Sequence, residues 1–518
     1  MKNILIISED NKYNFSVLKN GIGNKHKISH ALIRDKTNID LLKKLNKDII
    51  IEDYSNFDFL HKNICKKNNN KQYLTPTFKN DFFDLLQYYE YEKKFDKKKK
   101  NFLLKKTIDV VVSFVEKNNF DIIYFSHIPH NFLDFTFIHI CEKKKIKVIL
   151  TRGFPVPNYY FFSKKIYKVC LLKKPIKKKS TNKFYKDIKK NIINFNTYCA
   201  KNTLWQNHEL IKIHRKVKFF NMAEIFYIFK RLFLFVTRFF LLSIKFLLIF
   251  VFDKKKFISL FYLSEIEKIL EKKKIFVKSI NILKMEEIHF FNDIKKNNLI
   301  KIYLGLTHKV NLNDRYVFFP LWFQPSSTTY PYASRFKNYL NSIKIIAKSI
   351  PTDAILYVRE SADIFNISRH AWTRGINNRS KKFYYEINKI QNVRLIDFEI
   401  RDEILIKKCL FSVSTADKLG VMALYYNKSI INFSDSVFKY FRNCFQYKNQ
   451  TKLKNDINFI LKSKDQKKNF FKNDIKIINN NFFYRPKIIG KDNFNVAKQI
   501  DYRSISDNFF RIAKENII

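Results

Sequence analysis

Glycine is scarce in this chain, with seven in 518 residues, and proline, methionine and tryptophan number only ten, four and three. The one close glycine pair, the GIG at Gly21 to Gly23, runs into a Lys-rich segment without a strand-turn-helix context. A glycine-rich phosphate loop is therefore not written there. Six cysteines stand at positions 65, 141, 170, 199, 409 and 444 with no CxxC pair, which argues against a disulfide frame or a zinc site and for reduced, partly buried thiols. No Asp-x-Asp pair sits in a metal-binding context, so no metal is expected. Acidic residues are a minority, 46 against 99 Lys and Arg, and the formal net charge is +53. Such a charge ordinarily calls for a polyanionic partner. Here Lys, Asn, Ile, Phe and Tyr are inflated together, as an A/T-rich genome produces, and basic runs read as solvated surface. No recognised nucleic-acid motif and no basic stripe interleaved with exposed aromatics is found, so nucleic acid is not expected as a partner. The opening MKNILIISEDNKY is too short in its apolar run for a secretory signal and reads as a first buried strand, Met1 to Ser8.

What is present is ample for folding. The hydrophobic fraction is 46%, with 55 Phe and 28 Tyr, and the length suggests two to four domains. From Tyr316 to Phe433 short apolar runs alternate with amphipathic helices, the pattern of a parallel βαβ sheet. Strands are expected at Val317 to Leu321, Ala354 to Val358, Val393 to Ile396, Leu410 to Ser414 and Ser429 to Phe433. A helix capped by Ser334 should bury Phe336, Leu340, Ile343 and Ala347 and stop at Pro351. Ligands of such sheets bind outside the carboxyl ends of the strands, which directs attention to Gln324 to Thr329, Arg359 to Asp363 and Ser414 to Asp417.

The first 155 residues repeat the alternation. Strands are expected at Asn3 to Ile7, Asp48 to Glu52, Asp121 to Ser126 and Lys147 to Thr151, with helices at Leu103 to Lys117 and Phe132 to Lys143. His130 and Asp134 lie four apart near a helix N-terminus, where they can share a face and a hydrogen bond. A carboxylate beside an imidazole can make a general base for an acceptor hydroxyl; the alternative is helix capping by a surface His and Asp. Arg152, at the end of the next strand, is a candidate partner for an anionic substrate group or else surface charge.

Three stretches, PLWFQPSSTTYP, YVRESADIF and the helix before NKSIINF, follow one another in an order and spacing that resembles the bacterial capsule-polysaccharide biosynthesis proteins. These are glycosyltransferase-like enzymes of the GT-B architecture, including Kdo transferases. DIIYFSHIPHNFLDF resembles the N-terminal domain of the same family, whose Ser, Pro-His and Asp fall on Ser126, Pro129, His130 and Asp134. The resemblance implies catalysis by Asp134 with His130, and an acceptor site including Ser126 and Arg152. On the second domain the strand-end residues Gln324, Thr328, Thr329, Arg359 and Glu360, with Ser414, Thr415 and Asp417 at a helix start and Arg374 and Arg379 in a loop, make a candidate donor site. The alternatives are a surface ion pair for Arg359 and Glu360 and plain helix capping for Ser414, Thr415 and Asp417. The chain departs from the family pattern at Ser326, where Glu is usual, at Ser361-Ala362, where His-Pro is usual, and at Val421-Met422, where Trp-Glu is usual. None of these side chains replaces a carboxylate or an imidazole.

Between the two regions, Glu224 to Phe252 reads EIFYIFKRLFLFVTRFFLLSIKFLLIFVF. Its only cations, Lys230, Arg231, Arg238 and Lys245, fall within a sector of about 100° on a helix. A span would bury Arg238 or Lys245 near its middle at about 2.5–3.5 kcal/mol each. An in-plane helix lets the cations reach anionic head groups, and a buried interdomain helix is the other alternative.

The sequence therefore predicts an α/β protein with two Rossmann-like, GT-B-like domains. The expected division is 1–200, a helical linker 201–310 holding the amphipathic segment 224–252, a second domain 311–445, and a helical tail 446–518. The resemblance implies sugar transfer from a nucleotide-sugar donor, CMP-linked among the choices, to a glycan or lipid-linked glycan at an anionic membrane surface. No cofactor beyond that donor is expected, and the location implied is cytoplasmic and peripheral on the inner membrane. The altered positions leave a second reading, a binding or scaffolding subunit of the same pathway that has lost turnover.

Overall fold

The computed structural model describes residues 2–8, 27–33, 48–53, 59–60, 70–89, 97–129, 131–155, 159–166, 168–169, 171, 185–190, 192, 233, 236–237, 240, 298–322, 333, 336, 338–365, 379–397, 400–415, 417–463, 470–478, 482–484 and 509. Within them the chain builds β1 (Asn3–Ser8), β2 (Lys27–Ile33), β3 (Ile50–Asp53), α1 (Pro76–Tyr89), α2 (Lys97–Asn118), β4 (Ile122–Phe125), α3 (Phe132–Lys143), β5 (Lys147–Gly153) and β6 (Tyr159–Ser163). It continues with β7 (Tyr316–Pro320), α4 (Tyr339–Ala347), β8 (Ile355–Arg359), α5 (Lys381–Asn388), β9 (Val393–Leu395), α6 (Asp402–Lys408) and β10 (Ser412–Ser414). Then come α7 (Lys418–Tyr425), β11 (Ile430–Asn432), β12 (Cys444–Gln446), α8 (Gln450–Lys462), α9 (Phe470–Ile478) and β13 (Phe483–Tyr484).

Two sheets result, ordered β3-β2-β1-β4-β5-β6-β13 and β9-β8-β7-β10-β11-β12. Every pairing is parallel except β5 with β6 and β6 with β13. Both sheets thus follow the 3-2-1-4-5-6 order of the doubly wound fold, with the strand order reversing between β1 and β4 and between β7 and β10. Strands buried on both faces need continuous apolar runs, and β1, β4 and β7 supply them as NILIIS, IIYF and YVFFP.

The strand and helix expectations hold within one to three residues for β1, β3, β4, β5, β7, β8, β9, β10 and β11, and at both ends for α3. Strands β2, β6, β12 and β13 and helices α1 and α9 are additional. In β2, KISHALI, a polar letter hides a core position, because His30 is buried edge-on to Phe114 and Phe120. Burial holds that imidazole below its ordinary pKa, with Lys117 adding to the effect. The helix expected from Ser334 begins later, with Asn338 as its N-cap accepting from the Leu340 N–H at 3.0 Å. Phe336 already packs against Phe433 and Tyr447 in a separate turn before that helix. Beyond Tyr484 the expected helical tail lies outside the described residues apart from Phe509.

One apolar cluster joins the two halves. It contains Phe154, Phe161, Val169 and Ile188 from the first, and Tyr316, Phe318, Leu419, Phe438 and Phe471 from the second and from α9. Hydrogen bonds cross the same contact, from the Val169 N–H to Asp435 Oδ1 at 2.9 Å, from the Leu171 N–H to the Tyr440 hydroxyl at 3.1 Å and from that hydroxyl to Val169 O at 3.4 Å. The chain then returns to the first sheet through β13 beside β6, and Phe509 packs edge-on against Tyr124 and Phe162.

Candidate active site

The carboxyl end of β4 is the first switch point. Ser126 extends the strand by donating its N–H to Ile7 O at 2.9 Å, and its residue is buried. Asn131 caps α3, accepting from the Asp134 N–H at 2.9 Å. That places Asp134 on the first turn, fully buried, where its Oδ2 meets His127 Nε2 at 3.2 Å and the Asn131 side-chain amide. His130 lies outside the described residues; within them the imidazole beside Asp134 is that of His127, which is mostly buried itself. Arg152 is also fully buried, and its Nη2 donates to the carbonyls of Lys165 and Ile166, the latter at 2.7 Å. Its described contacts are thus with the chain following β6.

At the second switch point, β7 and β10 end side by side. The Tyr339 hydroxyl joins them, accepting from the Trp322 N–H at 3.2 Å and standing 3.3 Å from Thr415 Oγ1. Asp417 caps α7: Oδ1 accepts from the Gly420 N–H at 2.9 Å, while Oδ2 accepts from the Thr415 N–H at 3.2 Å and the Ser414 hydroxyl at 3.3 Å. Burial raises the Asp417 pKa, and those three donors oppose the rise. Gly420 is needed for the close approach of α7 to β10, since a Cβ there would stand 2.7 Å from the Phe438 ring and nearer still to Ser414 Oγ.

After β8 the side chains turn inward. Arg359 pairs with Asp402 and donates to Ile400 O at 2.8 Å. Glu360 accepts from Arg379 Nε at 2.5 Å and Nη2 at 3.1 Å, from the Tyr384 hydroxyl at 3.0 Å, and from the Ser361 N–H at 2.8 Å. Burial works against the Arg379 charge, but the Glu360 carboxylate overrides it and holds the guanidinium protonated more strongly than usual. Burial and the same carboxylate push the Tyr384 hydroxyl far up. The Arg379 guanidinium also lies 5.4 Å from the Tyr339 ring centre, which connects this cluster to the switch point.

Of the residues singled out from sequence, the structure thus brings together Ser414, Thr415 and Asp417, and sets Arg359 and Glu360 in two separate buried ion pairs. Gln324, Thr328, Thr329, Arg374, Lys230, Arg231, Arg238 and Lys245 lie outside the described residues. The altered pair Val421 and Met422 is buried within α7. Sequence reasoning missed His127 and Tyr339, and it placed Arg379 with Arg374 in a loop closing over a donor, whereas Arg379 is buried against Glu360. His127 had a signal, because it follows the β4 strand end by two residues.

No protein-family model matches the chain, and no curated protein does. Among solved structures, it is similar to UDP-GlcNAc 2-epimerase from Methanocaldococcus jannaschii at 11% identity and a TM-score of 0.24, covering 92% of this chain and 98% of that one. The UDP-GlcNAc 2-epimerase from Neisseria meningitidis bound to UDP-GlcNAc gives 12% identity and a TM-score of 0.22 over 92% and 98% of the two chains. A glycosyl transferase family 9 structure from Veillonella parvula gives 6% and 0.18 over 99% and 95%.

Proposed function

We propose that the protein is a nucleotide-sugar-dependent glycosyltransferase of surface-polysaccharide assembly. The observation that carries this reading is the placement of one polar cluster at the carboxyl-end switch point of each of two doubly wound sheets. The resemblance of the PLWFQPSSTTYP and YVRESADIF stretches to capsule-polysaccharide transferases supports it. The donor nucleotide binds at the second switch point, against the Asp417-capped start of α7 and Thr415. The acceptor binds at the first, beside His127 and Asp134.

In transfer, the acceptor hydroxyl oxygen bonds to the anomeric carbon while the bond from that carbon to the donor phosphate oxygen breaks, its electron pair leaving on the phosphate. The hydroxyl proton passes to the His127 imidazole. Asp134 fixes the ring and stabilises the imidazolium through the 3.2 Å contact to Nε2. With Nε2 facing Asp134, Nδ1 is the nitrogen that takes the proton, and it is buried. Membrane association through the 224–252 segment places this chemistry at a lipid-linked acceptor. Three described residues support that placement: Phe233, Val236 and Phe240 are helical, 68%, 52% and 65% exposed, and within about 60° of one another at 100° per residue.

A second reading, a non-catalytic subunit, is favoured by the engagement of both Arg359 and Glu360 with internal partners. Calorimetry with CMP-, UDP-, GDP- and dTDP-linked sugars separates the two. Saturable binding of one donor, with transfer lowered about 10²–10⁴-fold in His127→Ala while donor affinity holds, is the expected result. No binding across the panel by folded protein would sink the transferase and leave the subunit.

A further inference from the structure

A cavity of about 590 Å³ opens beside the second sheet, in the groove between α4 and the start of α8. Its sequence origin is the turn after β12, where Tyr447 donates its N–H to Asn432 O at 3.0 Å and is thereby fixed beside β11. The Tyr447 ring stacks on Phe433 at 5.0 Å between centres and meets Phe336 edge-on at 5.1 Å, so the three rings form one rigid apolar block. Tyr447 stays half-buried at the groove, while Phe336 and Phe433 lie beneath. Lys344 on α4 and Lys448 just before α8 stand on the two walls, and both are exposed. Asn341 and Gln450 add side-chain amides, and Gln450 is held in place by its hydrogen bonds to Ser349 Oγ and Ile345 O. No acidic side chain is found among the described residues lining the cavity.

An aromatic face binds the apolar face of a sugar ring, the Asn341 amide binds hydroxyls in either sense, the Gln450 carbonyl accepts from a hydroxyl, and a pair of cations selects a negative group. The volume suits one or two such rings and falls within the range of small-molecule sites. We infer that this groove is a second binding site, for a saccharide unit carrying a carboxylate or a phosphate, lined by residues other than those of the two switch-point clusters. The choice of a saccharide over a nucleobase rests on the glycosyltransferase reading. A growing chain of acidic sugar would be gripped here while its end reaches the first sheet, and the open form of the groove suits a chain passing through.

The experiment titrates the full-length protein with glucuronic acid and with glucose 6-phosphate, followed by ligand-observed NMR, with glucose, inorganic phosphate and UMP as comparators. Either acidic sugar binding at least tenfold more tightly than both glucose and phosphate supports the site, and which of the two binds identifies the anionic group. The Lys344→Glu, Lys448→Glu double variant should lose that binding about tenfold or more, while Lys454→Glu on the exposed face of α8 changes it less than twofold. The inference is overturned if phosphate matches the sugars, if UMP binds more tightly than both, if neither sugar binds, or if the double variant leaves binding unchanged. Titrating the same preparation with nucleotide sugars keeps the two claims separable. Donor binding without acidic-sugar binding removes the groove alone, and the reverse removes the donor reading alone.

Discussion

Glu360 stands at a strand end where a ligand-binding carboxylate is expected, yet both of its oxygens are held by Arg379, Tyr384 and the Ser361 N–H. A buried pair broken on one side leaves an uncompensated charge, which costs about 3–5 kcal/mol. Glu360→Gln should therefore lower stability by that order, read as a fall in the urea midpoint, whereas Glu360→Leu with Arg379→Met should recover part of it. Unchanged stability in the single variant would show that Arg379 finds another partner and that the pair is not structural. Donor affinity measured on a Glu360 variant is informative only at a matched unfolding midpoint. At this scale the sequence pointed to Asp134 and Asp417 because each sits at an expected helix start. It did not point to His127 as the neighbour of Asp134 or to Arg379 as the partner of Glu360, because those contacts run through turns and between elements, where no fixed spacing applies. His127 reaches Asp134 across the turn from β4 to α3, and a helix-face rule looks only at residues already on the helix.

Among elements, α7 shows what pattern alone conveys and where it stops. The run KLGVMALY announces a buried helix, and Leu419, Val421, Met422, Ala423 and Leu424 are all buried. What the run does not announce is why a glycine interrupts it. The reason is a neighbour 18 residues onward, Phe438, together with Ser414 on β10, both too close to allow a Cβ at position 420. Gly420→Ala should destabilise the protein by about 1–3 kcal/mol despite the helix-favouring change, measured by thermal or urea unfolding. A gain in stability would mean that α7 shifts freely, and the Asp417 cap would then be a poor anchor for a ligand. Aliphatic strands were legible for a related reason: Ile, Val and Leu runs have few other uses at that length. The aromatic YYFFS of β6 and the three-residue, half-buried CFQ of β12 carry little of that signal.

At the scale of the whole molecule, the excess of positive charge and the exposed Phe233, Val236 and Phe240 face belong together in the membrane proposal. Among the described residues no helix is long and apolar enough to cross a membrane. The protein should cosediment with phosphatidylglycerol-containing vesicles on the order of tenfold better than with phosphatidylcholine alone, and Phe233→Glu with Phe240→Glu should abolish the difference. Equal recovery on both vesicle types would remove the membrane from the proposal.

The return of the chain through β13 also sets a clock. That strand starts at residue 483, and its partner β6 ends at residue 163, so 320 residues separate them. At about 5–20 residues per second, a ribosome needs roughly 16–64 s to deliver the missing neighbour. Throughout that interval β6 is a sheet edge open to other nascent chains. The first half of the protein to be made is therefore the last to be closed, and a newly made molecule is most vulnerable to misassembly before its own C-terminus has left the ribosome.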